Sequence, residues 1–400
     1  MSPLKKTAEI SNIVHMTKNK TVRLGIIGIG NMGQSHANNI LEGKIPGLEL
    51  AAIADQNPER LEKYPDTPKF SEGIELIQSG TVDAVLIATP HYAHTTLGIA
   101  ALEAGLHTLV EKPISVHKED CERLIAAWQD PKLVFSAMFN QRTDPAYCKV
   151  KSLIESGELG SVQRINWIIT DWYRTENYYA SGGWRATWGG EGGGVLLNQC
   201  PHNLDLLQWI FGMPSKITAN CQFGRFHNIE VEDAVTAILE YPNGATGVFI
   251  TTTGEAPGTN RLEVACDRGK LVVEDGKISF TRTEQLVSEH NQTADTAFVK
   301  PSVWNIDIPI SGSGEQHNGI LKNFTNAILN GEQLIAPAGE GIHSVELANA
   351  MLFSAFENTS VNLPLDGAAY ARLLQSKIEN STYVKPEVKS SKVADLSGSF

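Results

Sequence analysis

Cysteine is scarce in this chain. The five that occur (Cys121, Cys148, Cys200, Cys221 and Cys266) are scattered, odd in number and include no CxxC pair. That spacing excludes a zinc ribbon or a dithiol couple, so no metal site is expected, and reduced thiols in a cytoplasmic setting are. The sequence also lacks any apolar run approaching the roughly 20 residues that span a bilayer, and no membrane contact is expected. Positive charge is in deficit, with 33 Lys and Arg against 45 Asp and Glu and a formal net charge of -12. Such a balance excludes general affinity for nucleic acid or anionic membranes, while leaving room for a local basic cleft. Lys5 and Lys6 are followed by no long apolar stretch, unlike a secretory signal.

What is present is the ordinary composition of a folded globular chain, 42% hydrophobic and 20% charged, at a length of 400 residues that accommodates two domains. From Val22 to about Ser136, short apolar runs alternate with helical patterns, as in a parallel βαβ sheet. Predicted strands are Val22–Ile27, Leu48–Ala54, Ala84–Ala88, Thr108–Val110 and Leu133–Ser136, with a helix over Thr95–Ala104 closed by Gly105. Beyond Asp144, closely spaced strands are predicted at Ser161–Ile169, Ile217–Phe223, Ala234–Glu240, Thr246–Thr252, Arg261–Ala265 and Lys270–Val273. Turns such as Pro242-Asn243-Gly244 and Asp267-Arg268-Gly269 join them. The fold class expected is therefore an α/β Rossmann domain plus an α+β domain with an open, mostly antiparallel sheet. Its helices start at Asn198 and at His317. The expected divisions are a flexible extension over 1–20 (Met16 being a second conceivable start), a dinucleotide-binding domain over 21–143, a substrate and oligomerisation domain over 144–384, and a frayed polar tail over 385–400. An open sheet face needs a cover, so a homodimer or homotetramer is expected.

Gly28-Ile29-Gly30-Asn31-Met32-Gly33 follows the first strand and opens a helix, which is the context a GxGxxG turn needs to cradle a pyrophosphate. The first glycine permits the tight turn, the second the close approach of a phosphate, the third helix packing. The second strand then leads into Asp55, placed to bind ribose hydroxyls. Its charge repels a 2′-phosphate, and Gln56-Asn57-Pro58 offers no arginine, so the expected cofactor is NAD rather than NADP. Arg60 is the one nearby cation.

Two further segments narrow the reading. One is Ala88-Thr89-Pro90-His91-Tyr92-Ala93-His94 with the later Glu111-Lys112-Pro113. The other is Gly192-Gly193-Gly194-Val195-Leu196-Leu197-Asn198-Gln199-Cys200-Pro201-His202-Asn203-Leu204-Asp205. With the glycine turn, they resemble the glucose–fructose oxidoreductase/inositol dehydrogenase/rhizopine catabolism (Gfo/Idh/MocA) family over about residues 22–356. The resemblance implies an active site between the two domains and hydride exchange between a nicotinamide and a secondary hydroxyl or ketone of a sugar or cyclitol. It implies that Lys112 contacts substrate and cofactor, that His202 is the acid/base, and that Thr89, Pro90, His94 and Glu111 lie beside the cofactor. Many members carry Asp where this chain has Asn198, so His202 is expected to keep its role with a less elevated pKa, and Asn198 to bind substrate.

Physical chemistry supports these roles. Alcohol oxidation must remove a proton as hydride leaves, which suits a group titrating near neutrality, and a lysine beside the developing alkoxide stabilises it. Asn198, His202 and Asp205 would share one face of a helix starting near Asn198, with Asp205 either structural or catalytic. Pro113 prompts the expectation of a cis Lys112–Pro113 bond. Asp171-Trp172-Tyr173-Arg174 and Ser181–Trp188 combine aromatic faces with arginine, reasonable chemistry for a carbohydrate pocket. Tyr173, Arg174, Arg185 and Trp188 are the candidates for substrate contact, the tryptophans having core packing as their other reading. Gly182-Gly183 and 189–194 read as a mobile loop or lid. His94 lines the nicotinamide pocket or braces a helix start; His317 contacts substrate or caps its helix. Two other functions share the motifs: an NAD-dependent glycosidase working by transient oxidation, and a non-catalytic nucleotide sensor.

Overall fold

The computed structural model describes residues 21–386, so the expectations for 1–20 and for 387–400 lie outside the described residues. Six parallel strands form the first sheet: β1 (Val22–Ile27), β2 (Leu48–Ala54), β3 (Lys69–Phe70), β4 (Ala84–Ile87), β5 (His107–Val110) and β6 (Phe135–Ala137). Their order, β3-β2-β1-β4-β5-β6, reverses direction between β1 and β4. That reversal opens a crevice at the carboxyl ends of these two strands, where doubly wound sheets bind ligands. Helices cover both faces, so β4 is buried throughout and reads as an unbroken apolar run. The helix after β4 spans His91–Glu103, one turn earlier than the sequence suggested, and the chain leaves it through Gly105 at φ +76°.

The second sheet has nine strands: β7 (Val162–Ile169), β8 (Lys216–Phe223), β9 (Glu232–Glu240), β10 (Thr246–Thr252), β11 (Asn260–Cys266), β12 (Gly269–Glu274), β13 (Lys277–Thr283), β14 (Val303–Ile308) and β15 (Val361–Asn362). The order is β14-β13-β12-β11-β7-β10-β9-β8-β15, antiparallel except for the parallel pair β7/β10. Strand β9 shows why one face is core: Val235, Ala237 and Leu239 are buried, whereas Thr236, Ile238 and Glu240 point outward. Helices Pro201–Phe211 and Gly341–Glu357 pack on the inner face, around Trp167 and Phe249, both fully buried.

The chain does not leave the first sheet for good after β6. Helix Gln316–Asn330 returns to it and buries Ile320, Leu321 and Phe324 in its core. A single division near residue 143 misses this return, because an apolar stripe on a helix does not say which sheet it will cover. At the other end, Lys385 is not frayed: its Nζ donates to the carbonyls of Gly182 and Arg185. No helix among the described residues is long and apolar enough to cross a membrane.

Candidate active site

The glycine turn lies at the end of β1, against Ala88 and Thr89 at the end of β4. Gly28 has φ +93°, and a Cβ there would come within 2.6 Å of the Ala88 carbonyl. A Cβ on Gly33 would sit 1.9 Å from the Gly28 carbonyl, whereas one on Gly30 would meet nothing within 4 Å. Gly28 and Gly33 are therefore required by the fold, and Gly30 leaves the backbone open to a ligand. Helix Asn31–Leu41, which begins with Asn31 and Met32, carries no side-chain cap and no acidic residue in its first turn. Its free amides suit a pyrophosphate. Asp55 accepts from the amides of Ile29 (2.7 Å) and Asn57 (2.8 Å), which ties the turn to the strand end beside it. Arg60 pairs with the same carboxylate at 3.2 Å.

Thr89 and Pro90 lead into the helix that carries His94; Thr89 Oγ1 is buried and has no partner. The two ring nitrogens of His94 lie 2.8 Å from the carbonyls of Pro113 and Thr89, so this histidine braces the two motif segments against each other. The Lys112–Pro113 bond is cis. Glu111 faces His36 at 2.7 Å, with both side chains buried, and the His36 ring lies 5.6 Å from that of His317. Burial alone would raise the Glu111 carboxyl, but the His36 hydrogen bond and charge hold it below its ordinary value. Lys112 reaches across to the second domain, where its Nζ donates to the Asn198 carbonyl at 2.8 Å. Burial pulls its ammonium below the ordinary lysine value, with Arg185 and Arg174 adding to the effect and Glu111 and Glu191 opposing it.

Helix Pro201–Phe211 starts at Pro201, not Asn198. Proline fits the first helical position because its missing N–H would have had no partner there. Asn198 lies in the preceding turn, its amide on the Gly194 carbonyl at 2.9 Å, so it does not share a helical face with His202 and Asp205. His202 is 5% exposed; its Nδ1 is buried without a partner, and Phe139 packs edge-on 6.4 Å from its ring. Burial first, then the charges of Lys112 and His317, push its pKa well below the ordinary value. The less elevated pKa expected with Asn198 in place of Asp is carried further, below the ordinary value, because burial and the Lys112 and His317 charges outweigh the opposing Glu111 charge. Asp205 instead holds Arg142 in a bidentate pair at 2.7 and 2.6 Å, the structural alternative.

The substrate-facing candidates separate. Arg185 donates to the Tyr178 hydroxyl at 2.8 Å, and that hydroxyl lies 3.3 Å from Asn198 Oδ1 and 3.1 Å from Gln199 Nε2. Arg174 lies over the same Tyr178 ring, 5.1 Å from its centroid, with Arg185 at 4.6 Å. Tyr173 is 49% exposed and makes none of these contacts. Trp188 is removed from the candidates: it is 5% exposed and packs on Phe356 and Phe223. The glycines at 190 and 194 have a packing role. A Cβ at either would fall within 2.0 Å of a backbone carbonyl, so they permit close packing. Tyr178, Gln199 and Glu191 are the residues that sequence reasoning missed; Gln199 lies within the motif segment without a role assigned to it, and no motif marks Tyr178 or Glu191.

A Rossmann crevice with an uncapped glycine turn and a lysine of its own, facing a buried histidine from the adjoining domain, defines a nicotinamide-dependent oxidoreductase. Family models match both parts, an oxidoreductase-family NAD-binding Rossmann fold over residues 22–139 and a GFO/IDH/MocA C-terminal domain over 147–272. The chain belongs to the Gfo/Idh/MocA oxidoreductase family. Similar proteins include myo-inositol 2-dehydrogenase of Thermotoga maritima, 26% identical over 266 residues, covering 64% of this chain and 75% of that protein. Another is levoglucosan dehydrogenase of Pseudarthrobacter phenanthrenivorans, 25% identical over 395 residues, 86% of this chain and 99% of that protein. Among solved structures, the WlbA dehydrogenase from Bordetella pertussis in complex with NADH and UDP-GlcNAcA is similar with a TM-score of 0.72. It is 26% identical, with 87% of this chain and 100% of that chain covered.

Proposed function

We propose that this protein transfers hydride between NAD and a secondary hydroxyl of a sugar or cyclitol, or the matching ketone in reverse. The observation that carries the reading is the meeting of Lys112, from the first domain, with the Asn198–His202 segment of the second. The residues fit the cofactor: Gly28 to Gly33 and the open helix amides would hold the pyrophosphate, and Asp55 would take the ribose hydroxyls. Bound NAD supplies the hydride acceptor. His202 removes the hydroxyl proton. Its ring is neutral at pH 7 because burial disfavours the cation, and Nε2 is the nitrogen left for substrate, since Nδ1 is sealed in the core. Lys112 places its ammonium against the developing alkoxide and stabilises its charge. Asn198, Arg174, Arg185 and Tyr178 provide donors and acceptors for the remaining hydroxyls.

The open face of the second sheet, with Ile238 52% exposed, supports a homodimer or homotetramer formed through it. The test of function is NAD reduction across a panel of inositols, aldoses and glycosides. Accumulating NADH supports a dehydrogenase, whereas release of an aglycone without NADH would favour the glycosidase reading.

A further inference from the structure

Glu191 ends the short helix Trp188–Glu191 and is 1% exposed. It is a carboxylate inside the site that neither the cofactor turn nor the proton transfer uses. One oxygen, Oε1, accepts from Asn198 Nδ2; the other accepts from the Ala186 amide at 2.6 Å. Its main-chain carbonyl meets His91 Nδ1 at 3.2 Å. Arg185 lies 3.8 Å from Oε1. Lys112, Lys385 and Glu232 also feel its charge.

These contacts fix a direction. Burial raises the Glu191 carboxyl, while Arg185, the Ala186 amide and Asn198 pull it down. As a carboxylate it only accepts hydrogen bonds, so it binds the Nδ2 side of the Asn198 amide and leaves Oδ1 toward Tyr178 and Gln199. The backbone of that same residue holds the Lys112 ammonium. We propose that Glu191 is a positioning residue for hydride transfer: its carboxylate sets the Asn198 amide, and through that turn the Lys112 ammonium. The proposal rests on the dehydrogenase reading above.

The contact pattern supplies its own control. In Glu191→Gln, keeping the Ala186 bond turns an NH₂ group toward Asn198, so the Asn198 amide must turn over and present Nδ2 to Tyr178 and Gln199. In Asn198→Asp, two carboxylates meet. When both substitutions are combined, the new amide NH₂ donates to the new carboxylate, and the new amide oxygen still accepts from Ala186. The second oxygen of the new carboxylate still accepts from Tyr178 and Gln199. The negative charge has moved from one side chain to its partner and every hydrogen bond is kept.

The experiment measures kcat and KM with NAD and the panel sugar or cyclitol that the native enzyme oxidises fastest, together with NADH affinity and the melting temperature of each holoenzyme. Each single variant should lose at least about tenfold in kcat/KM with NADH affinity within about twofold, and the double should be less impaired than either single variant. If Glu191→Gln does not fold, recovery of the Asn198→Asp loss by the double variant remains the deciding comparison. Losses that multiply in the double variant, or a Glu191→Gln enzyme with native kcat/KM, would overturn the proposal. A native enzyme that oxidises no panel member overturns the dehydrogenase reading itself, a separate outcome.

Discussion

Replacing Asp205 with Asn should weaken the fold while sparing the chemistry. Asp205 and Arg142 are each 1% exposed at the side chain, and their two-point pair joins the His202 helix to the turn Asn140–Thr143. Removing the charge of one partner from a buried pair costs about 3–5 kcal/mol, since the other is left uncompensated. Arg142 keeps Glu340 at 2.5 Å and the Ile335 carbonyl at 3.1 Å, and Asn still accepts one hydrogen bond. The low end of the range, about 3 kcal/mol, is therefore expected. The assay is urea unfolding of the native and Asp205→Asn proteins followed by tryptophan fluorescence, with NADH titration and steady-state kinetics on the folded variant. NADH affinity should stay within about twofold and kcat within about tenfold of native. Stability unchanged to within about 0.5 kcal/mol would refute the structural role, and a kcat loss of about a thousandfold in a fully folded variant would make Asp205 catalytic.

Glu232 is fully buried, with its carboxyl raised by burial to about 7. Between its unfolded value and about 7 the folded state holds the extra proton, so stability should fall as pH rises through that window, by roughly 3–4 kcal/mol at most. Glu232→Gln, which mimics the protonated acid, should remove that slope in melting temperature measured from about pH 5 to 8. The depressed pKa of His202 keeps the base neutral in mild acid, so the acid limb of kcat/KM for oxidation should lie below 6.5, the ordinary histidine value. A limb at or above that value in a pH–rate profile would contradict the assignment. Asp55→Ala frees Arg60 from its ion pair, so the NAD-to-NADP ratio of kcat/KM should fall at least about tenfold; an unchanged ratio would remove Asp55 from cofactor choice.

Legibility in the sequence followed the range of the forces involved. Strand β4 and the glycine turn were readable because burial on both faces and a single tight turn impose local patterns. Strand β14 was missed because it is an exposed edge, with Val303 and Trp304 half in solvent and no alternation for a core to enforce. Helix Gly341–Glu357 was missed for the opposite reason: it is buried on most sides and shows no polar stripe. In the site, Lys112 and His202 lie in recognisable motifs. Tyr178 and Glu191 reach Asn198 only through tertiary packing, and Glu191 lay inside a glycine-rich run that reads as flexible. Trp188 misled because an aromatic beside an arginine looks the same in sequence whether it faces a sugar or two phenylalanines.

The central claim is hydride transfer from a sugar or cyclitol to NAD with His202 as base, and the most direct measurement is NADH formation by native and His202→Ala enzymes. The native enzyme should accumulate NADH with at least one inositol, aldose or glycoside. His202→Ala should lose about 10²–10⁴-fold in turnover while binding NAD as before. No NADH from any panel member, or equal turnover by the two enzymes, would contradict the account.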